Sequence, residues 1–483
     1  MVEIIQEPRY TLLPVGQQVV FGVTEDVIVA NKFKVKFIAN VYISENPINF
    51  SAPPSISSLV GTYKTTPNNR GVGIFDFRPV IETFLTPDYE GSTVGNGSRY
   101  KQATTISKAE AVTHPIHLID LIAQSENSIK YFGVEFDIEY AEDDNTAILS
   151  PANQTINNAQ GSTQYTIFNG VLQSDDVLTL TKGNYGYDLE LNKLFLKTAG
   201  DGFLSNAPRT QYATLEDYGT LPFLNFVETP FGLPPAKGIT NVSKFKFTYY
   251  NAGGIVGTET VMQDYDNGGS TNFANNAYSK LMYLGAFPGN LRNWSTAFEA
   301  LVTAATIDSY TITPYNNTTA LDSYTINIIC PSLKSYEPIR LAWLNQWGGW
   351  DYYTFNMKSV RSVATNKTPY TQLGGTWNER GFKIAGYKGG KKNFRVNSTE
   401  KIKINSDFIS GAEAIWFEEL VNSNEVYILK GFQSDDADTI TNKYVEPVTL
   451  TTSSYIRKTV ANDRLIQYTF EIEKSKMQRT QAV

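Results

Sequence analysis

The sequence predicts a mainly β protein that has several β-sandwich or β-barrel-like domains and a few short helices. Its 483 residues include 29 tyrosines and 27 phenylalanines, and aromatic and β-branched residues favour strands. Several segments alternate apolar and polar residues with a period of two, which is typical of half-buried strands. The length exceeds that of one ordinary core, so we expect roughly two to four domains.

Four regions are predicted along the chain. Residues 1–145 are expected to form an N-terminal β-sandwich domain, and residues 146–235 a linker with a second β region. A β domain is expected over 236–335, and a C-terminal β domain with one helix over 336–483. The first boundary rests on segment 142–163, which is polar and poor in apolar residues and therefore predicts a loop or linker.

Two segments of the first region alternate clearly. KFKVKFIANVYI (32–43) predicts a strand with one inward apolar face, formed by Phe33, Val35, Phe37, Ala39, Val41 and Ile43. KYFGVEFDIEY (130–140) repeats the pattern with acidic residues on its outer face. Because lysines line the outer face of the first strand, we expect the two strands to be neighbours in one sheet. FDFRPVIETFL (75–85) predicts a passage from strand to helix.

Short strands are predicted in the second and third regions, at QYTIFNGVL (164–172), DVLTLT (176–181), LELNKLFLKT (189–198) and SKFKFTYYN (243–251). YTITPY (310–315) and SYTINIIC (323–330) predict a hairpin with a longer loop.

One helix is predicted near the C-terminus, over SGAEAIWFEELVNS (410–423). Ser410 is the expected N-cap, and Glu413 three residues later completes a capping box. Trp416 and Leu420 lie four residues apart and therefore share a face of this helix. EVYILKG (425–431) and the alternating RLIQYTFEIEKS (464–475) predict further strands.

The composition argues against several classes of protein. The net charge of −7 does not suit a dedicated nucleic-acid clamp, which needs a basic face. Cys330 is the single cysteine; it cannot form an intrachain disulfide, and its apolar neighbours predict a core position. The first residues lack the features of a secretion signal, and no stretch is apolar enough to span a membrane. We expect a protein that folds in a cytoplasm.

Few residues suit catalysis or metal binding. His114 and His117 are the two histidines, but Pro115 separates them and there is no third histidine, so a surface or turn role is expected rather than zinc binding. QDYDNGGS (263–270) departs from calcium-loop spacing and predicts a polar turn. No G-x-S-x-G motif is present. We expect no catalytic, metal or cofactor-binding residue. Sequence spacing does not report the distance between paired carboxylates, so a carbohydrate-binding or glycan-cleaving protein stays open.

GYKGGKKNFR (386–395) is the most basic stretch of the chain. It lacks the Ser or Thr of a phosphate-binding P-loop. It predicts a solvated hairpin or a contact with an acidic partner subunit, with a local phosphate or DNA contact as the alternative.

WLNQWGGWDYYTF (343–355) is unusually aromatic and predicts two strands turned at Gly348-Gly349. One face is expected to be core, and the other a sugar platform or a subunit contact, where aromatic residues are enriched. The residues predicted to serve in packing or at an interface are Trp343, Trp347, Trp350, Tyr352, Trp377 and Trp416.

Several segments resemble virion structural proteins of tailed phages, in particular crAss-like gut phages and related podoviruses. They are APRTQYATLEDYGTLPFLN (207–225), YEPIRLAWLNQWGGWDYYTFNMKS (336–359), SDFISGAEAIWFEELVNSNEVYIL (406–429) and NDRLIQYTFEIEKSKMQRTQ (462–481). The order and spacing of these segments carry the resemblance over roughly residues 200–480, and the first 150 residues carry little of it.

This resemblance implies a non-enzymatic β-rich virion component, a tail ring or hub-type protein between portal and tail tip that forms closed rings around a DNA channel. The implied partners are other copies of the chain and neighbouring tail, portal or head proteins, while genomic DNA passes nearby without specific binding. The implied location is the virion tail, assembled in the host bacterial cytoplasm. No cofactor or small-molecule substrate is implied. A receptor- or glycan-binding virion protein is the alternative.

Overall fold

The computed structural model describes residues 1–8, 12–45, 47–48, 58–90, 115–119, 122–125, 127–171, 177–178, 186–187, 203–225, 242–262, 280–316, 318–330, 336–377, 379–384, 386–431, 444–452, 456, 466–476 and 479.

Strands dominate this part of the chain, as the composition predicts. The first fourteen are β1 (Glu3–Gln6), β2 (Leu12–Pro14), β3 (Val20–Thr24), β4 (Phe33–Ser44), β5 (Leu59–Thr65), β6 (Val72–Asp76), β7 (Ile122–Gln124), β8 (Ile129–Ala141), β9 (Ile148–Leu149), β10 (Gln160–Gly161), β11 (Tyr165–Phe168), β12 (Val177–Leu178), β13 (Gly186–Tyr187) and β14 (Thr210–Ala213). The later ones are β15 (Thr220–Asn225), β16 (Lys244–Asn251), β17 (Gly254–Met262), β18 (Lys280–Gly285), β19 (Ser309–Asn316), β20 (Thr319–Ala320), β21 (Tyr324–Ile328), β22 (Ile339–Leu344), β23 (Trp350–Phe355), β24 (Val360–Gln372), β25 (Gly390–Asn405), β26 (Val426–Leu429), β27 (Val445–Leu450) and β28 (Thr469–Lys474).

The described helices are short, which confirms the predicted fold class. The α-helices are α1 (Asp26–Asn31), α2 (Arg78–Ile81), α3 (Pro288–Trp294), α4 (Thr296–Thr303) and α5 (Gly411–Asn422), and 3-10 turns lie at Glu82–Phe84, Ile116–Leu118 and Pro151–Asn153. Within the described ranges, none of these helices has the length and apolar character needed to cross a membrane.

Two sheets pack face to face in the N-terminal part. The sheet β1-β3-β6 covers a second sheet ordered β2-β11-β8-β4-β5, to which β9 and β10 add through β8. Aromatic rings bridge the two sheets; those of Phe21 and Phe136 have centroids 5.5 Å apart. Strands β4 and β8 are antiparallel neighbours, as their opposite outer charges predict.

The predicted inward face of β4 is wrong at its first residue. Phe33 is exposed, whereas Phe37, Ala39 and Val41 are fully buried. Lys34 has a positive φ of 52°, and the pairing with β8 shifts register between Phe33 and Lys36. The alternation of faces therefore starts only after this irregularity.

Two further sheets and two helices form the central part. One sheet runs β14-β21-β19-β16-β17 with β20 attached, and the other runs β15-β18-β7. The predicted hairpin of residues 310–315 and 323–330 is present as antiparallel β19 and β21. The core position predicted for Cys330 is wrong: the residue is exposed, because β21 ends at Ile328, before the cysteine.

A seven-stranded antiparallel sheet, β23-β22-β26-β27-β28-β25-β24, forms the C-terminal part. Helix α5 packs on it and has the predicted capping box, in which Ser410 N donates to the Glu413 carboxylate at 2.7 Å and Glu413 N donates to Ser410 Oγ at 3.3 Å. Trp416 and Leu420 lie on one face of this helix, as their spacing predicts, and that face is buried.

The predicted domain boundaries stay predictions. Some sheets combine strands from two of the predicted regions. β11 follows residue 145 yet pairs with β2 and β8, and β7 precedes it yet pairs with β18. The strand predicted at 189–198 and the turn predicted at 263–270 lie outside the described residues.

Candidate assembly surface

The aromatic segment 343–355 folds as an antiparallel hairpin of β22 and β23 joined by residues 345–349. Asn345 closes this loop, because its side-chain oxygen accepts the backbone N–H groups of Trp347 and Gly349, each at 3.0 Å. Gly348 adopts a φ of 77°, which costs glycine little. The chain turns at Gly348, as the sequence predicts, but inside a five-residue loop rather than a tight turn.

Both faces of this hairpin are buried inside the subunit. Trp350 and Tyr352 pack into the central core, whereas Trp343 and Phe355 pack into the core of the C-terminal sheet. Successive strand residues point to opposite faces, so one ribbon serves as the wall between two cores. These side chains are therefore not accessible to a sugar or to a neighbouring molecule while the chain stays folded.

Helix α5 contacts the hairpin through two tryptophans and one carboxylate. The rings of Trp343 and Trp416 have centroids 4.9 Å apart, and Trp416 Nε1 donates to Asp351 Oδ2 at 2.6 Å. Asn345 Nδ2 donates to the other carboxylate oxygen at 3.0 Å. Burial raises the pKa of Asp351 to about 6, because desolvation penalises the charged form.

A buried ion pair lies on the opposite face of the hairpin. Arg340 Nη1 is 3.6 Å from Asp217 Oδ2 and donates to Thr354 Oγ1 at 2.9 Å. The Thr354 hydroxyl donates in turn to Asp217 Oδ2 at 2.7 Å. The guanidinium carbon lies 4.3 Å from the ring centroid of Phe287, which adds a cation–π contact. These contacts link Asp217, in the loop before β15, to Arg340 of β22 and Thr354 of β23.

His117 lies in the same core, against β23. Its Nδ1 is 3.0 Å from the hydroxyl oxygen of Tyr352, and its ring packs edge-on against Trp350 with centroids 4.7 Å apart. The predicted turn is present, but the predicted surface position is wrong because this turn packs beneath β23; His114 lies outside the described residues. Burial, followed by the positive charge of Arg340, lowers the pKa of His117 to about 3.

Acid is expected to destabilise the fold through His117. The pKa of this histidine is about 6.5 in an unfolded chain and about 3 when folded, so the unfolded state takes up the proton first as the pH falls. The contribution of neutral His117 is complete above pH ~6.5 and declines towards pH ~3 by about 1.4 kcal/mol per pH unit. Asp351 acts with the opposite sign between about pH 4 and 6, because its raised pKa lets the folded state bind the proton first.

A comparison of the wild type with His117→Gln isolates the contribution of His117 to the pH dependence of the free energy of unfolding, since Asp351 titrates in both proteins. We expect the free energy of unfolding of the wild type, minus that of the variant, to decrease between pH 7 and pH 5 in urea titrations. A difference that stays constant with pH contradicts the buried neutral state of His117.

Among the described residues, no group of three or more His, Cys, Asp or Glu side chains is placed to hold a metal ion. A scan against protein-family models finds no matching family, and a search of curated proteins finds no matching protein.

Trp377 differs from the other five candidate aromatic residues, because it is 70% exposed. It lies at the end of a long hairpin in which β24 and β25 pair from Val360↔Lys403 to Gln372↔Gly390. On its other side, among the described residues, β25 pairs with β28 over Lys401–Asn405, and Arg479 Nε donates to Asn397 Oδ1 at 2.7 Å. We call residues 360–400 the arm. Its paired strands extend roughly 35 Å beyond that base at ~3.3 Å per residue.

Ion pairs hold the base of the arm. The Arg361 guanidinium pairs with the carboxylates of Glu337 and Glu400. Lys474 of β28, which is nearly buried, pairs with Glu400 at 2.9 Å. These contacts fix the direction in which the arm leaves the sheet.

Hydrogen bonds and one ring contact link the described residues at the tip of the arm. Thr376 Oγ1 donates to Gly381 O at 3.0 Å and accepts from Lys383 N at 2.8 Å. The rings of Trp377 and Phe382 contact each other with centroids 5.2 Å apart. Both rings are nevertheless exposed, so the loop presents them outward.

The arm carries a large share of the exposed apolar side chains of the described structure. These residues are Val360, Val363, Tyr370, Leu373, Trp377, Phe382, Ile384, Tyr387, Phe394 and Val396. The first twelve residues of β24 are all exposed, and among the described strands β24 lies at the edge of its sheet, paired with β25 alone. Monomeric proteins rarely expose apolar groups in such a concentration, which is typical of interaction surfaces.

The sequence pointed to only parts of the arm. The basic stretch 386–395 predicts a hairpin, and the structure places it in β25 and the tip. Residues 360–372 gave no strand prediction, because both faces of β24 are exposed and mixed in polarity, so no period of two marks a buried side.

Proposed function

We propose that the chain is a structural subunit of a tailed-phage virion that assembles with copies of itself into a tail ring or portal-to-tail connector around the DNA channel. The observation that carries the assembly part is the arm, an exposed apolar ribbon that extends from the C-terminal sheet. The virion setting is supported by the resemblance of segments such as 336–359 and 406–429 to proteins of crAss-like phages.

A closed ring requires a heterologous contact, in which two different patches of neighbouring copies match. The arm supplies one such patch, because its paired strands extend beyond the base that pairs with β28. The 343–355 hairpin is shared by two buried cores, and the base of the arm is paired to the same sheet. DNA then passes a ring whose total charge per subunit is negative, −7, and is not gripped by it.

The mass of the purified chain in solution tests this proposal. We expect a discrete species at a multiple of 53.8 kDa that persists on dilution to micromolar concentration. A species with the mass of one chain at every concentration contradicts the proposal.

A receptor- or glycan-binding virion protein is the second candidate, and the exposed rings of Trp377 and Tyr387 favour it. Aromatic faces of this kind can stack on sugar rings. A glycan array separates the two functions: reproducible binding that is lost in Trp377→Ala supports glycan recognition, whereas the ring proposal predicts no such binding.

A further inference from the structure

The arm and the rest of the chain carry opposite charge. Residues 360–400 contain eight basic side chains, Arg361, Lys367, Arg380, Lys383, Lys388, Lys391, Lys392 and Arg395, and two acidic ones, Glu379 and Glu400. The arm therefore has a formal net charge of +6. Because the whole chain has −7, the remaining residues have −13. Two copies of the chain attract each other when the arm of one approaches the body of the other.

Covering the arm would also stabilise it. A two-stranded ribbon is at best marginally stable alone in water, and along most of its length this one has no third strand among the described residues. The pairing of β25 with β28 covers five residues at the base, while Ile384 and Tyr387 near the tip are 89% and 76% exposed. A protein surface placed against these side chains would remove apolar area from water.

The apolar residues distinguish a protein partner from a nucleic acid. Leu373, Ile384 and Val363 are aliphatic and strongly exposed, and a phosphate backbone offers nothing for them to pack against. Aromatic residues and arginine are typical of the centre of a protein interface, and aliphatic side chains there lose contact with water. The lysines around the tip suit acidic side chains at the edge of that interface.

We propose that the arm of each subunit docks onto the acidic body of the neighbouring copy and forms the heterologous contact of the assembly. This rests on the proposed function, because it names the surface by which that ring closes. The occupant is a second copy of this chain, bound by apolar contacts to Trp377, Ile384 and Tyr387 and by ion pairs from the arm lysines.

A photo-crosslinking amino acid in place of Trp377, in the full-length chain, tests the contact directly. Unlabelled and isotope-labelled chains are mixed before irradiation, and the crosslinked peptides are weighed. We expect mixed pairs of one light and one heavy peptide, which join the arm of one copy to an acidic region of another. The same amino acid at Ile255, an exposed residue near the β16–β17 turn, gives the background level. Crosslinks confined to single chains overturn the proposal.

A variant series separates failure of this contact from failure of the ring. Trp377→Ser/Ile384→Ser/Tyr387→Ser is expected to weaken self-association at least ~100-fold, because central interface residues each contribute about tenfold or more. The control Thr365→Ser/Asn366→Ser/Thr368→Ser changes three exposed residues of β24 but keeps every large apolar side chain of the arm, and it is expected to assemble like the wild type. Unchanged Tm values show that both variants are folded.

Each outcome of the series decides between the two proposals. If the wild type assembles and the arm variant assembles equally well, the arm proposal is wrong while the ring proposal stands. If the wild type is a monomer, both are wrong. If assembly is normal but the chain binds DNA fragments, and Lys388→Glu/Lys391→Glu/Lys392→Glu abolishes that binding, the arm belongs to a nucleic-acid site and the docking proposal is wrong.

Discussion

Gly348→Ala is expected to abolish folding or to lower the free energy of unfolding by more than ~3 kcal/mol. A Cβ at this position would lie 2.0 Å from the carbonyl oxygen of Asn169, and the φ of 77° alone costs an L-residue about 1–2 kcal/mol. The obstacle is backbone, and it is held on both sides: Asn169 N donates to Ser128 O at 2.9 Å, and Val171 N donates to Gln346 O at 2.8 Å. The overlap therefore cannot be relieved by rotating a side chain.

Gly374→Ala is the matched control, because a Cβ there meets no atom within 4 Å. Urea unfolding of the two variants, or their yield of soluble protein, measures the effect. A Gly348→Ala protein as stable as the Gly374→Ala protein would show that the hairpin loop does not contact residues 169–171 in the way described.

Arg340→Met is expected to lower the free energy of unfolding by about 3–5 kcal/mol. The substitution keeps an unbranched apolar side chain near Phe287 but leaves the carboxylate of Asp217 buried without its cationic partner. Desolvation of an unpaired charge is the main cost. The surface substitution Arg361→Met provides the comparison, because exposed ion pairs contribute at most about 1 kcal/mol.

Denaturant titration of Arg340→Met/Asp217→Asn completes the test. Removing the charge on Asp217 is expected to recover part of the loss, so the two substitutions are not additive. If Arg340→Met costs no more than Arg361→Met, the buried pair is not a structural element of the core.

Local patterns in the sequence predicted the local elements. Period-two alternation predicted β8 and most of β4, and opposite charges predicted that they pair. The Ser410–Glu413 capping box predicted helix α5 to within one residue at each end. Helices α3 and α4 were missed, although Pro288 at the first helical position and Ser295 as an N-cap were available signals.

The side chains that pack against each face of the 343–355 hairpin come from residues distant in sequence. The sequence of the hairpin alone therefore could not predict whether a face is buried or accessible. Trp350 and Trp343 both belong to one aromatic run, yet the first packs near His117 and Tyr427 and the second against Trp416. Nothing within 343–355 distinguishes a second core from a sugar platform. The sequence of the arm likewise does not show whether the surface that covers it belongs to the same chain or to another molecule.

Single-particle imaging of the purified full-length chain tests the ring proposal most directly. Closed rings of a single copy number, with the arm of each subunit lying on its neighbour, are the predicted result. Isolated monomers with free arms, or open filaments of indefinite length, would contradict a heterologous contact that closes.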